Sequence, residues 1–371
     1  MKKTVGIMTF HGAHNYGSCL QAYALQSKIK ELGYDVKIIN FRSERQKEMY
    51  RPLTSRKGFK YILKNAFFLL NLSKRKKRHS IFEEFIAENY ILTDEYSTLD
   101  ELKSNPPAFD FYISGSDQIW NTVPYDADMA YFLPFVKDGV KIAFAPSFGQ
   151  IGNIEHKDEI AKHLSIYDFL SVREENANLL LDELIKKSAP VVCDPTLFYG
   201  QDFWEKLIDD KPIIDKDYIF FYTLFATPEM IKQVKMLSKA TGLPVVISNV
   251  SNQYEVFSRF EKHIDCGPCE FLNLLKNAKY VFTSSFHCTV FSIIFNKNFY
   301  AFKGMDDKRI STLLKTVNLE NRSVDEKNKA ELLSNCKSAD FDGVNEKLLC
   351  ATKKSEEYLK MCLKGERYET V

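Results

Sequence analysis

Short apolar runs with strand character alternate with stretches whose apolar residues recur every three or four positions. That alternation predicts an α/β chain with parallel sheets. The first series opens with the run Val5–Phe10 and crosses a loop holding Gly12 and Gly17. A helix is predicted from about Ser18 to Leu32, with Leu20, Ala24, Leu25 and Ile29 on one face. Gly33 stops it and Val36–Phe41 is the next strand. Further strands are predicted at Asp110–Ser114, Lys141–Ala145, Phe169–Val172 and Val191–Cys193. A second series follows the polar stretch Asp209–Asp217, with strands at Tyr218–Tyr222, Pro244–Ile247, Tyr280–Thr283 and Phe299–Phe302. The stretch from about Asn345 to Cys362 has the spacing of one last amphipathic helix. The pattern divides the chain into a first βα domain over 1–205, a second over 206–344 and a terminal helical segment over 345–371, which is expected to pack back on the first domain. The coarse expectation is two βα domains facing a cleft, with a basic helical insertion at about 42–90.

Composition narrows this picture. With 371 residues, 45% apolar, and 29 Phe and 19 Tyr to fill cores, disorder over the whole chain is excluded. Eight scattered Cys residues have neither the density nor the spacing of a disulfide scaffold. The apolar run Val5–Phe10 is too short for a signal h-region, and Ala66–Leu72 is far too short for a membrane span. A cytoplasmic protein with reduced thiols is the expectation. The net charge of +2 gives no reason to expect a nucleic-acid partner. That average conceals an uneven distribution. Residues 42–78 hold thirteen Lys/Arg and two Glu, a balance of +11, so the remainder is near −9. In that segment Phe59, Ile62, Leu63, Phe67 and Leu70 recur at helical spacing before Lys74-Arg75-Lys76-Lys77-Arg78. Such a helix either packs into a core beside a solvated charge run, or lies on an anionic membrane surface through residues 59–78.

Several motifs fall where strands end. The first junction reads Phe10-His11-Gly12-Ala13-His14-Asn15-Tyr16-Gly17-Ser18, a loop placed to meet oxygen-rich ligands. It lacks the Gly-Lys-Ser/Thr of a P-loop, and His11 and His14 have no convincing third metal ligand. Ser114-Gly115-Ser116-Asp117-Gln118-Ile119-Trp120-Asn121 offers a carboxylate for sugar hydroxyls and an indole for a pyranose face. The alternative is a capping Asp with Trp120 in the core. Arg173 follows a strand and precedes Glu174 and Glu175. It can fork an anionic ligand or pair with a neighbouring acid. Asp194-Pro195-Thr196 reads as a loop acceptor followed by a fixed turn. At Thr283-Ser284-Ser285-Phe286-His287-Cys288 a strand ends and a helix begins, an anion-competent start with His287 in position to transfer a proton. Cys266-Gly267-Pro268-Cys269 matches a redox spacing but also serves as a helix entry.

Taken in order, these motifs resemble the polysaccharide pyruvyl transferase family. The resemblance rests on Asn15-Tyr16-Gly17 with Leu20–Leu25, Gly115–Asn121, Ser171-Val172-Arg173-Glu174, Asp194-Pro195-Thr196 and Ser285-Phe286-His287, across about residues 4–320. It implies two Rossmann-like domains similar to the GT-B glycosyltransferase fold, the first binding the acceptor and the second the donor. It also implies transfer of pyruvate from phosphoenolpyruvate onto two hydroxyls of a sugar, giving a cyclic ketal, in bacterial surface or exopolysaccharide biosynthesis. His287 and Arg173 would be catalytic. Ser284, Ser285, Phe286, Arg173 and Arg309 would bind the donor, and His11, Asn15, Tyr16, Gly17, Ser116, Asp117 and Trp120 the acceptor. No metal or cofactor is implied, and the acceptor is expected to be a sugar or a lipid-linked oligosaccharide, met in the cytoplasm or at the inner face of the membrane. Relatives often carry Arg where Ser285 stands, so another cation is needed, and Arg309 or Lys303 are the candidates by position. A GT-B glycosyltransferase using a nucleotide sugar and a non-catalytic glycan-binding relative remain open alternatives.

Overall fold

The protein was analysed as a computed structural model that describes residues 2–58, 65, 68–69, 71–149, 156–250, 253–256, 258–302, 308–324 and 341–366. Lys303 and the apolar stripe Phe59, Ile62, Leu63, Phe67 and Leu70 lie outside the described residues. The chain forms two compact units. One comprises Met1–Leu70, Glu83–Phe198 and Leu349–Val371, the other Asn71–Phe82 and Tyr199–Leu348.

In the first unit six parallel strands form one sheet: β1 (Thr4–Met8), β2 (Asp35–Phe41), β3 (Leu92–Tyr96), β4 (Phe111–Ser114), β5 (Val140–Ala143) and β6 (Phe169–Leu170). Their spatial order is β3-β2-β1-β4-β5-β6, with Val5 opposite Val36 on one side and Phe111 on the other. The central strands are continuous apolar runs because both faces of a parallel sheet are covered. The edge strand β3 carries Asp94 and Glu95 toward solvent, which is why its hydropathy gives no strand signal. Val191 makes only an isolated bridge to Val172 rather than a strand. Asn15 caps the helix Tyr16–Glu31 by accepting from the N–H groups of Gly17 and Ser18, so the helix starts two residues earlier than its apolar stripe suggests. The helix Phe341–Lys364 contributes its later turns to this unit. There Ser355 Oγ accepts from Cys193 N at 2.9 Å and Tyr358 Oη donates to Leu170 O at 2.7 Å.

The second unit repeats the design with β7 (Ile219–Tyr222), β8 (Val245–Ile247), β9 (Glu261–Lys262), β10 (Tyr280–Thr283), β11 (Asn298–Phe302) and β12 (Ser323–Val324). The order is β12-β11-β10-β7-β8-β9, again all parallel. Each sheet therefore reverses its winding next to its first strand, between β1 and β4 and between β7 and β10. A doubly wound sheet opens a crevice beyond its carboxyl ends at such a reversal. The chemistry-bearing motifs follow β1 and β4 in one unit and β10 in the other.

The first turns of the helix Leu72–Asn89 belong to the second unit. Lys77 pairs with Asp265 at 2.9 Å, and Arg78 donates to the carbonyls of Ser248 at 3.3 Å and Cys266 at 3.1 Å. Gly267 lets the helix approach closely, since a Cβ there would run into Ile81 Cγ2. Lys74 Nζ also reaches Lys262 O at 3.5 Å, so part of the basic run is used to dock this helix although Lys74, Lys76 and Lys77 are exposed.

Candidate functional site

In the first unit, buried polar groups cluster at the carboxyl end of the sheet. After β4 the chain turns through Gly115 (φ +135°) and Asp117 (φ +80°). A side chain at position 115 would overlap the Phe144 carbonyl, so glycine is required for β4 and β5 to come together there. Ser116 Oγ donates to Ala145 O at 3.0 Å and to Asp194 Oδ2 at 3.2 Å. Asp117 accepts from Ser18 Oγ at 2.6 Å and from Gln118 N at 2.8 Å. Arg173 is 4% exposed and donates to Asp194 at 2.7 Å, with Asp117 at 3.5 Å and Glu174 at 4.0 Å. Burial alone would lower the affinity of its guanidinium for a proton. The carboxylates of Asp194, Asp117 and Glu174 outweigh burial and push its pKa up. Its charge is committed to acids of its own unit. Asp194 also accepts from Thr196 N at 3.0 Å and Thr196 Oγ1 at 2.7 Å, fixing the turn at Pro195.

The other first-unit residues have defined places. Asn15 is the helix cap, while Tyr16 and Gly17 are buried in the first turn. His11 is fully buried, with Nε2 at 3.0 Å from Asn40 Oδ1 and Nδ1 at 3.3 Å from Thr9 O. Burial is the main cause that lowers its pKa, so the ring is held neutral. Trp120 is a core residue, 1% exposed. Phe132 stacks on it at 5.7 Å, Phe148 and Tyr167 pack around it, and its Nε1 donates to Ser114 Oγ at 3.2 Å. It leaves no open ring face for a pyranose. His14 bonds Glu83 at 2.8 Å, and Arg42 grips the same carboxylate in a fork of 2.6 and 2.8 Å. Burial opposes the Glu83 charge, but Arg42 and His14 win and hold it well below the usual carboxylate range. Ser18 closes the first motif loop and Ser147 lies outside every motif, and sequence alone assigns neither to the site; they bond Asp117 and Glu174.

The second unit presents a different surface. Ser285 N donates to Thr283 Oγ1 at 3.0 Å, and Ser285 Oγ caps the helix Phe286–Ile294 at Cys288 N, 3.4 Å away. Ser284 Oγ lies 2.6 Å from Thr223 Oγ1 of the loop after β7. His287 is 7% exposed in the first helical turn, its ring 5.1 Å from that of Phe286. The Arg309 guanidinium stands 5.5 Å over the Phe286 ring, which brings a cation to this helix start. The first turn of any helix presents N–H groups and a partial positive charge. The Cys266 thiol is buried and its pKa is pushed up to about 12, chiefly by burial, the opposite of the lowered value of a reactive redox cysteine. Gly267 N instead donates to Glu270 Oε2 at 2.9 Å at a helix entry. Among the described residues, a polar cavity of about 530 Å³ lies at the amino ends of β1–β3, lined by Thr4, Asp35 and Lys37 among others, away from all of these motifs.

Both sheets have the doubly wound topology of a two-domain, GT-B-like protein, and solved structures agree. Over 100% of both chains, the protein resembles in fold a Listeria monocytogenes protein described as a UDP-N-acetylglucosamine 2-epimerase (12% identity, TM-score 0.55) and S. aureus MnaA solved with UDP (13%, TM-score 0.52). It also resembles Arabidopsis thaliana UGT89C1 in complex with UDP-L-rhamnose, over 98% of this chain and 100% of that one (11%, TM-score 0.51). No curated protein matches the sequence. The model of the polysaccharide pyruvyl transferase family matches residues 15–304, and the chain belongs to that family. Among the described residues no helix is long and apolar enough to cross a membrane.

Proposed function

We propose that this protein transfers the pyruvyl group of phosphoenolpyruvate onto two hydroxyls of one sugar, forming a cyclic ketal during synthesis of a bacterial surface or extracellular polysaccharide. The family match carries the reading, because it spans both the loops of the first unit and the helix start that bears His287. Protonation of the enol methylene makes C2 an electrophile resembling an oxocarbenium ion. One sugar hydroxyl adds, phosphate leaves, and the second hydroxyl closes the ring. The protein has to hold two anionic groups, move protons and orient two hydroxyls. The helix start at Ser284–His287 receives the phosphate or carboxylate, and His287 acts at the enolpyruvyl group. Arg309, poised over Phe286, supplies the cation that Ser285 does not. Ser18, Ser116 and Asp117 belong to the acceptor side, with Arg173 acting through Asp117 and Asp194. None of these steps calls for a metal or an organic cofactor. Exposed Lys74 and Lys76 favour an acceptor held at an anionic lipid surface.

Purified protein incubated with phosphoenolpyruvate and lipid-linked or soluble glycans is expected to release phosphate only when an acceptor is present. Turnover of nucleotide sugars alone would favour the glycosyltransferase alternative, and glycan binding without turnover the non-catalytic one. Neutralising Lys74 and Lys76 is expected to weaken co-sedimentation with anionic vesicles by roughly 1 kcal/mol per charge. Co-sedimentation that ignores both salt and these changes removes the membrane component.

A further inference from the structure

The second unit has an outer surface that neither its core nor its site motif uses. Between β7 and β8 runs the helix Pro228–Thr241, capped by Thr227 Oγ1, which accepts from Met230 N at 3.2 Å. Its inner face buries Met230, Val234 and Leu237 in the core of the unit. At 3.6 residues per turn, Lys232, Lys235 and Lys239 fall within an arc of about 60° on the opposite face. All three are exposed, and among the described residues none is paired with an acid. They rim an open groove of about 430 Å³ whose apolar lining is Pro228, Ile231 and Met236. The helix has one acid, Glu229, which is half-buried and accepts from Gln233 Nε2 at 3.3 Å.

Exposed apolar side chains stand at the amino end of the same helix. Thr223 and Ala226 are buried, and Phe225 N donates to Thr223 Oγ1 at 3.1 Å, which fixes the connecting loop. Leu224 and Phe225 are nevertheless 54% and 57% exposed, and Met236 is 39% exposed. Apolar side chains left in water by a fixed backbone mark a contact surface. Its charge selects the partner. Protein interfaces are depleted in lysine, and a row of one sign needs acids across from it. An anionic bilayer meets both needs. Lysine stems lie along apolar surface while their ammonium groups reach phosphates, and apolar side chains enter the boundary between headgroups and acyl chains.

We infer that the outer face of the helix Pro228–Thr241 seats the second unit on an anionic phospholipid bilayer. Lys232, Lys235 and Lys239 lie among the headgroup phosphates, with Met236 and Phe225 at the acyl boundary. The surface uses other residues than Lys74 and Lys76, and the inference holds whatever group the protein transfers.

The test is co-sedimentation of the full-length protein with vesicles of phosphatidylglycerol and phosphatidylcholine in equal parts, and with phosphatidylcholine alone. Wild type should bind only the anionic vesicles and leave them as salt rises. Lys232→Gln/Lys235→Gln/Lys239→Gln should lower the partition coefficient roughly fivefold for each charge removed, about 100-fold in all. Lys103→Gln/Lys137→Gln/Lys187→Gln, which removes as much charge from exposed positions of the first unit, should change it only a few-fold. Phe225→Ser should weaken binding several-fold and keep its salt dependence. A Met236→Trp protein should be quenched by brominated acyl chains, against the buried background of Trp120 and Trp204. All these positions are exposed, so the variants should melt as wild type does. A wild type that ignores anionic vesicles, a helix variant that binds like the first-unit variant, a Phe225→Ser protein as tightly bound as wild type, or a Met236→Trp protein that stays unquenched overturns the inference. So does a wild-type dimer that the helix variant takes apart, which would give the face to a second copy of the chain. None of these measurements involves turnover, so the pyruvyl-transfer reading stands or falls separately.

Discussion

The two sheets share one winding order but finish their carboxyl ends in opposite ways. In the first unit the loops after β4 and β6 are tied by buried ion pairs, with Arg173 held among Asp194, Asp117 and Glu174, and the loop after β5 joins them through hydrogen bonds from Ser116 Oγ to Ala145 O and from Ser147 Oγ to Glu174. In the second, the loop after β10 runs into a helix with no acidic residue in its first turn, and hydroxyl hydrogen bonds shape it. The first arrangement fixes oxygen acceptors in place, which suits a polyhydroxyl ligand. The second offers donors and the positive end of a helix, which suits an anion. One topology thus yields two chemical surfaces, and the difference lies in a few residues at strand ends.

That contrast can be broken or sharpened by substitution. The largest effect is expected at His287. His287→Ala should lower acceptor-dependent phosphate release by about 10²–10⁴-fold, read by a coupled phosphate assay. Unaltered turnover would remove His287 from the reaction. Next comes Arg173→Met, which leaves Asp117, Asp194 and Glu174 buried without their cation. It should cost about 3–5 kcal/mol of stability, measured by urea unfolding, with hydrogen exchange rising in the first unit before the second. Equal exchange in both units would mean the network does not set the first unit apart.

Acid should also discriminate between the units. The folded-state pKa of Glu83 lies below its unfolded value, so its contribution is complete above an unfolded pKa of about 4.3. That contribution drains away as pH falls through the folded value, since protonation releases Arg42 and His14. Glu83→Gln should therefore be less stable than wild type at pH 7, and the gap should narrow below about pH 4 in urea melts. A gap that stays constant with pH would show that the fork carries no net stabilisation. The smallest effect is expected at Ser285→Ala, where loss of the cap should cost about 1 kcal/mol in the same melts.

Much of the fold is written in hydropathy. The central strands carry the apolar runs that hydropathy reads, so β1, β4, β7, β10 and β11 announce themselves, and β2 does so through Val36, Ile38, Ile39 and Phe41 despite exposed Asp35 and Lys37. Edge strands do not: β3 carries the adjacent exposed acids Asp94 and Glu95, and β9 and β12 are two residues long. The motif loops were legible because chemistry at strand ends uses few residue types. Their internal division of labour was not. Trp120 and a sugar-stacking indole look alike in sequence, and only packing against Phe132, Phe148 and Tyr167 separates them.

The order of motifs along the chain determined the family and the two-unit α/β plan, because the spacing of apolar runs and strand-end residues is a property of the sequence. Which charges are spent internally was settled only by tertiary structure. Arg173 looks available beside Glu174 and Glu175, but its partner Asp194 lies twenty-one residues away in sequence and 2.7 Å away in space. Arg78 belongs to a basic run, yet it ends on the carbonyls of Ser248 and Cys266. Electrostatic pairing acts through distance and burial, and neither is encoded by neighbours in the chain.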